Sequence, residues 1–188
     1  LPRALTTEEV QRLEAHCAEA KRAPLRLLAM VRLALDLGLR VGEIAKLEIG
    51  DFDWRAGTVT LKRTKSQRQD VLPLPVLTGQ ALAEYMRHER PATTLPSLFV
   101  RRLAPHDKPI GVDAVSQAIG RALRGAGISR GCHSLRHTLA CRLVNSGSSI
   151  KEVADVLRHR SLDTSLIYAK LDLQLLAEVA LPWPGSAS

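Results

Sequence analysis

Two histidines and an arginine fall within five consecutive residues, His133-Ser134-Leu135-Arg136-His137. On a helix, side chains three apart share a face. His133 and Arg136 can then reach one phosphate together, the imidazole as proton donor or acceptor and the guanidinium as a fork for two oxygens. The spacing of His133 and His137, with Cys132 and Cys141 close by, also admits a helical zinc pair. Position 134 is Ser where a zinc protease helix would carry Glu, and no third ligand is obviously placed, so no metal is expected and His137 is read as packed within the fold. A second run, Leu157-Arg158-His159-Arg160-Ser161-Leu162-Asp163-Thr164-Ser165-Leu166-Ile167-Tyr168, ends in a tyrosine. A phenol attacks phosphorus when cations stabilise its anion and the pentacoordinate transition state, which gives a covalent intermediate without a metal. By itself Tyr168 reads as a half-buried core residue. Its joint occurrence with Gly38-Leu39-Arg40-Val41-Gly42-Glu43-Ile44 and Arg63-Thr64-Lys65-Ser66 changes that reading.

Elements must bring these runs together. Thr6 with Glu9 forms a capping box that opens an amphipathic helix to about Ala20, and Pro24 starts a more apolar helix to about Leu37, ended near Gly38. A short helix is expected over Val41 to Leu47. Two β-type runs, Thr58 to Leu61 and Val71 to Leu74, flank the polar stretch Lys62 to Asp70, which reads as a hairpin or small sheet with a basic tip. The remainder reads as helical: Leu77 to Arg90, Asp113 to Arg124, Ser134 to Asn145, Ser149 to Leu157 with a second capping box to Glu152, Leu162 to Tyr168, and Asp172 to Val179. Pro91 to Pro109 reads as a loop, and the last eight residues carry too many breakers to continue a helix.

The 188 residues hold 27 Lys and Arg against 19 Asp and Glu, a net charge of +8, with aromatics at 3%. From Trp54 to Gln69 there are five basic residues and no acid, and from Ala114 to Ile150 five arginines and again no acid. No amphipathic helix gathers these charges beside aromatic anchors, so a nucleic-acid backbone fits better than a membrane surface, and few aromatics disfavour single-strand stacking. No apolar run reaches the length of a membrane span, and three cysteines are too few and too odd in number for a disulfide framework, so a cytoplasmic setting is expected.

Taken in order, G-L-R-V-G-E-I, R-T-K-S-Q-R-Q-D-V-L-P-L, H-S-L-R-H-T and L-R-H-R-S-L-D-T-S-L-I-Y resemble the signature blocks of the tyrosine recombinase (phage integrase) family. The resemblance implies an α+β, mostly helical catalytic fold with a small three-stranded antiparallel sheet. It also implies cutting and rejoining of duplex DNA through a 3′-phosphotyrosyl bond, with no metal or cofactor. By the same resemblance, Arg40 and Arg136 grip the scissile phosphate and Lys65 protonates the departing 5′ oxygen. His133 acts as acid or base, His159 hydrogen-bonds the phosphate, Tyr168 is the nucleophile, and Glu43 supports the site by orienting an active-site side chain. Arg63, Arg68, Arg158 and Arg160 are expected against DNA. Arg63 and Arg68 are poor rivals to Lys65 as acid because a guanidinium hardly deprotonates.

Arg158 departs from the family, which usually has Gly there. The catalytic domain is expected over residues 1–180, with a tail at 181–188 and no N-terminal DNA-clamping domain in this chain. Double-stranded DNA is the expected partner; the resemblance implies a tetramer on two DNA sites for the full-length protein, with the isolated domain expected as a monomer. The alternatives are a type IB topoisomerase and a catalytically silent DNA-binding module.

Overall fold

The computed structural model describes residues 4–62, 69–103 and 108–158. Lys65, His159 and Tyr168, with Arg63, Arg68 and Arg160, therefore lie outside the described residues, as do the helices expected beyond residue 158 and the tail. The chain divides into two compact units, Pro2–Leu139 and Ala140–Ser188.

In the first unit, helix α1 (Thr7–Ala18) starts on the expected capping box. Thr6 Oγ1 accepts from the Glu9 N–H, and the Glu9 carboxylate accepts from the Thr6 N–H at 2.9 Å. Helix α2 (Pro24–Asp36) has proline in its first turn and no side-chain cap of its own. Its orphan N–H groups at Leu25 and Arg26 are taken by the carboxylate of Glu89, from the far end of another helix. This satisfies donors that would otherwise face the interior unpaired. Met30, Val31, Leu33 and Leu35 make α2 the buried spine, flanked by α1, by α4 (Val76–His88) and by α5 (Val112–Gly125). Between α2 and α4 lie the short helix α3 (Val41–Lys46), a single helical turn at Ile49–Asp51, and the strands β1 (Phe52–Asp53), β2 (Thr58–Lys62) and β3 (Gln69–Pro73).

The sheet is antiparallel, order β1-β2-β3, with Val59 opposite both Phe52 and Leu72 and with Lys62 opposite Gln69. Phe52, Val59 and Leu61 point into the core while Val71 stands out to solvent, the alternation of a half-buried sheet. Pro73 is tolerated because β3 is an edge strand. Only β2 and β3 were legible as β-type runs. β1 has two residues, too few to alternate, and is held to β2 by a turn in which Asp53 Oδ1 accepts from the N–H groups of Arg55 and Ala56 while Gly57 takes φ +64°.

The stretch Pro91–Pro109 has no helix or strand among its described residues, yet Leu98, Phe99 and Val100 are fully buried. Arg90 makes this possible by donating to the carbonyls of Leu95, Ser97 and Leu98 at 2.8–3.0 Å.

Helix α6 (His133–Asn145) leads out of the first unit into the second. There, past Gly147 at φ +89°, Ser149 and Glu152 form the second capping box at the start of α7 (Ile150–Val156).

Candidate active site

Three of the sequence-selected side chains meet at one place in the first unit. Past α2 the chain reverses through Gly38, whose φ of +60° is a left-handed conformation that costs glycine nothing. Leu39 folds back by donating to the Leu33 carbonyl, and Arg40 is extended backbone that opens α3. Glu43, one turn in, accepts from the Arg40 N–H at 2.7 Å and from Arg40 Nη1 at 3.2 Å. One carboxylate thus satisfies an orphan donor of α3 and aims the guanidinium.

Arg136 arrives from α6. Residues Ser134 to Thr138 of that helix are all buried, while His133, at its start, is exposed. Ser134 Oγ donates to the Gly131 carbonyl, and Thr138 Oγ1 donates to the Ser134 carbonyl while accepting from the N–H of Leu5. Packing therefore fixes the rotation of the helix, and Arg136 Nη1 donates to the carbonyl of Gly38. The reversal that presents Arg40 also anchors Arg136. Leu39, Val41 and Cys132 wall a small open recess onto which Arg40, His133 and Arg136 face. Two guanidiniums and an imidazole against apolar walls suit a tetrahedral oxyanion with charge to neutralise.

His137 is buried on the same helix, and burial holds its pKa below the ordinary histidine value, in keeping with a packed, neutral ring. Cys132 donates its thiol proton to the Ser116 carbonyl. Among the described residues no group of three His, Cys, Asp or Glu side chains is placed to hold a metal ion, and no helix is long and apolar enough to cross a membrane.

The family model for the phage integrase family matches residues 3–174, from the first described segment through Tyr168. The chain belongs to the phage integrase family. An integrase/recombinase of Sinorhizobium fredii is 37% identical over 190 residues, covering all of this chain and 46% of that protein. A second from the same organism is 38% identical, covering 87% of this chain and 86% of its own length. The tyrosine recombinase XerA of Pyrococcus furiosus is 30% identical over 95% of this chain and 60% of its own. This family chain thus spans less than half the length of the first of these relatives. Among solved structures, a XerH site-specific recombinase bound to its palindromic difH substrate, in a post-cleavage complex, superposes with a TM-score of 0.79 at 25% identity, over 98% of this chain and 54% of that one. The fold is that of the tyrosine recombinases, with the small three-stranded antiparallel sheet that the family resemblance implied.

Within this integrase-family domain the site residues divide cleanly. Arg40, His133 and Arg136 share the recess and Glu43 holds Arg40. Arg158, expected against DNA, is instead buried: its Nη1 donates to the Val156 carbonyl at 3.1 Å, so the guanidinium covers the end of α7. Its φ of +55° is the left-handed turn for which the family pattern has glycine. Arg130, counted in the second acid-free window, is tied to the leading segment of the chain. It forks onto both oxygens of Glu9 at 2.9 and 3.0 Å and donates to the Ala4 carbonyl. Composition counts such an arginine as available charge, and nothing in its neighbours signals otherwise.

Proposed function

We propose that this chain is the catalytic part of a site-specific DNA recombinase or integrase, acting through a 3′-phosphotyrosyl intermediate without metal or cofactor. The observation that carries this reading is the gathering of Arg40, His133 and Arg136, remote in sequence, around one recess, in a chain whose family match runs through Tyr168. In this reading the Tyr168 oxygen attacks the phosphorus and its proton passes to a base, for which His133 is the candidate. The P–O5′ bond breaks as Lys65 gives a proton to the 5′ oxygen. Arg40, Arg136 and His159 neutralise the charge spread over the non-bridging oxygens. Because the phosphodiester becomes a phosphotyrosyl ester, rejoining reverses the same steps and needs no external energy.

Double-stranded DNA is the proposed substrate, in a tetramer on two sites, with residues 1–180 as the catalytic domain and the chain working in the cytoplasm. The similar XerH site-specific recombinase is bound to its palindromic difH substrate, which supports the DNA assignment, and a set of three cysteines, too few for a disulfide framework, agrees with the compartment. The named relatives are recombinases, which favours strand exchange over topoisomerase action.

The test is trapping on a library of nicked duplexes that lose a short fragment when cut. A denaturant-resistant protein–DNA adduct, absent with Tyr168→Phe, is expected, and sequencing it gives the site. An adduct that persists in Tyr168→Phe removes the nucleophile assignment, and no adduct with salt-sensitive binding intact favours a binding module.

A further inference from the structure

Arg130 stands three residues before His133, in the short connection from α5 to α6, and the leading segment of the chain holds it. Its guanidinium forks onto both oxygens of Glu9 at 2.9 and 3.0 Å and reaches the Ala4 carbonyl at 3.0 Å, and the two side chains are only 23% and 17% exposed. Two charge-assisted bonds in a mostly buried place fix a direction as well as a distance. From there the backbone is held step by step. The N–H and the hydroxyl of Ser134 both donate to the Gly131 carbonyl, at 2.9 and 2.8 Å, and the Cys132 thiol donates to the Ser116 carbonyl. Beyond Arg136, the Leu5 N–H donates to Thr138 Oγ1 at 2.9 Å. Residues 4–9 therefore grip the chain at 130 and again at 138, on either side of His133 and Arg136. Arg136 has an anchor of its own in the Gly38 carbonyl. His133 is exposed, so its aim comes from the backbone that carries it.

We infer that Arg130 is a positioning residue: its fork on Glu9 ties the start of α6 to the leading segment, and so sets where the His133 imidazole stands at the recess it shares with Arg40 and Arg136. The inference rests on the proposed strand transfer, with His133 as the group that moves a proton, and assigns to Arg130 and Glu9 a share in that step although neither lines the recess. Glu9 is engaged twice, since the oxygen that receives Arg130 Nη1 also accepts from the Thr6 N–H at 2.9 Å. A side chain that acts through His133 has nothing left to act on once the imidazole is gone. One that only supports the fold has the same effect with or without it.

The experiment measures single-turnover adduct formation by this chain on the trapped nicked duplex for wild type, Arg130→Ala, Glu9→Gln and Glu89→Gln, and for Arg130→Ala in a His133→Ala background, at a temperature where urea unfolding shows every variant folded. Glu9→Gln keeps an acceptor for the Thr6 N–H and loses the charge that holds the fork. Glu89→Gln weakens the cap of α2 at Leu25 and Arg26, whereas the recess is lined from the other end of that helix at Ala34, so it serves as a variant destabilised elsewhere. Small misplacement of a reacting group is costly, so Arg130→Ala and Glu9→Gln are expected to form adduct roughly tenfold more slowly, while Glu89→Gln stays within about twofold of wild type. In the His133→Ala background, adding Arg130→Ala changes the rate by less than about twofold. Unchanged rates in Arg130→Ala and Glu9→Gln, equal slowing by Glu89→Gln, or an undiminished effect of Arg130→Ala in the His133→Ala background each overturn the inference. Where His133→Ala forms too little adduct to time, the comparison with Glu89→Gln decides by itself. No Tyr168-dependent adduct from wild type overturns the strand-transfer reading and this inference with it, whereas a wild-type adduct with failure of the Arg130 and Glu9 variants alone leaves that reading standing.

Discussion

Arg40 and Arg136 carry the same charge but are held by opposite means, and substitutions should separate them. Arg136 is buried with its fork on the Gly38 carbonyl, so Arg136→Lys puts a point charge where a planar fork is required and strands a buried acceptor. We expect adduct formation to fall about 10²-fold and stability to fall by about 1–3 kcal/mol, read by single-turnover trapping and urea unfolding. Arg40 is exposed and its restraint is Glu43. Glu43→Ala should cost only about 0.5–1 kcal/mol of stability, the worth of a helix-cap interaction, while slowing adduct formation roughly tenfold because the guanidinium is no longer aimed. A rate loss in Glu43→Ala that only tracks its unfolding would reduce Glu43 to a cap. Arg136 was singled out by its spacing from His133, whereas Arg40 and Glu43 were singled out only by the family resemblance. The anchors of the two arginines, a backbone carbonyl for one and a side chain for the other, were not legible, because a residue type does not reveal whether its group is packed or solvated.

At the scale of elements, the helices were legible because apolar periodicity and capping boxes are local signals, and both boxes formed where Thr6/Glu9 and Ser149/Glu152 predicted them. What escaped was held by distant partners: the two residues of β1, the buried Leu98–Val100 run fastened by Arg90, and the Glu48 and Asp51 carboxylates that pair with Lys62. The turn after α7 gives an ordered pair of expectations. Arg158→Gly relieves a left-handed conformation worth about 1–2 kcal/mol but loses the bond to Val156, worth about 1 kcal/mol, so its net change should be small. Arg158→Ala keeps the strain and loses the bond, and should be less stable than Arg158→Gly by about 1 kcal/mol or more. Thermal unfolding of the pair checks this, and an alanine variant as stable as the glycine variant would contradict the positive φ. The capping boxes also titrate. The Thr6 N–H, aided by the Arg130 guanidinium, holds Glu9 below the ordinary carboxylate value of 4.5, and the Ser149 N–H and hydroxyl hold Glu152 below it. Their folded pKa values are depressed, so the stabilisation is present above 4.5 and is lost as pH falls through those lower values. His137 adds a step at higher pH. Its folded pKa lies below 6.5 because of burial, so the unfolded chain takes up a proton first, and stability declines as pH drops below about 6.5. Unfolding measured from pH 7.5 to 4 should show this decline, and His137→Leu should flatten the portion above pH 5.

For the whole molecule, the net charge of +8 foretells a polyanion partner only if the cations stand clear, and several do not. Arg130 is spent on Glu9 and Ala4, Arg158 on Val156, and Lys62 on Glu48 and Asp51. A count of Lys and Arg therefore overstates the charge available to DNA, and salt titration can sort the residues. Each phosphate neutralised releases condensed counterion and contributes about −0.9 to the slope of log K against log salt on duplex DNA. Arg68, which the sequence reading expects against DNA, should on conversion to alanine weaken binding and reduce the steepness of that slope by about one. Arg130→Ala should leave the slope within its error and lower thermal stability instead, since its fork belongs to the fold. Fluorescence anisotropy on a short duplex between about 50 and 200 mM salt, with the span set by the expected loss of affinity, measures both. A slope that falls equally for Arg130 and Arg68 would mean that the leading-segment pairing opens on DNA, and that the charge of the chain is better counted from its sequence than from its folded surface.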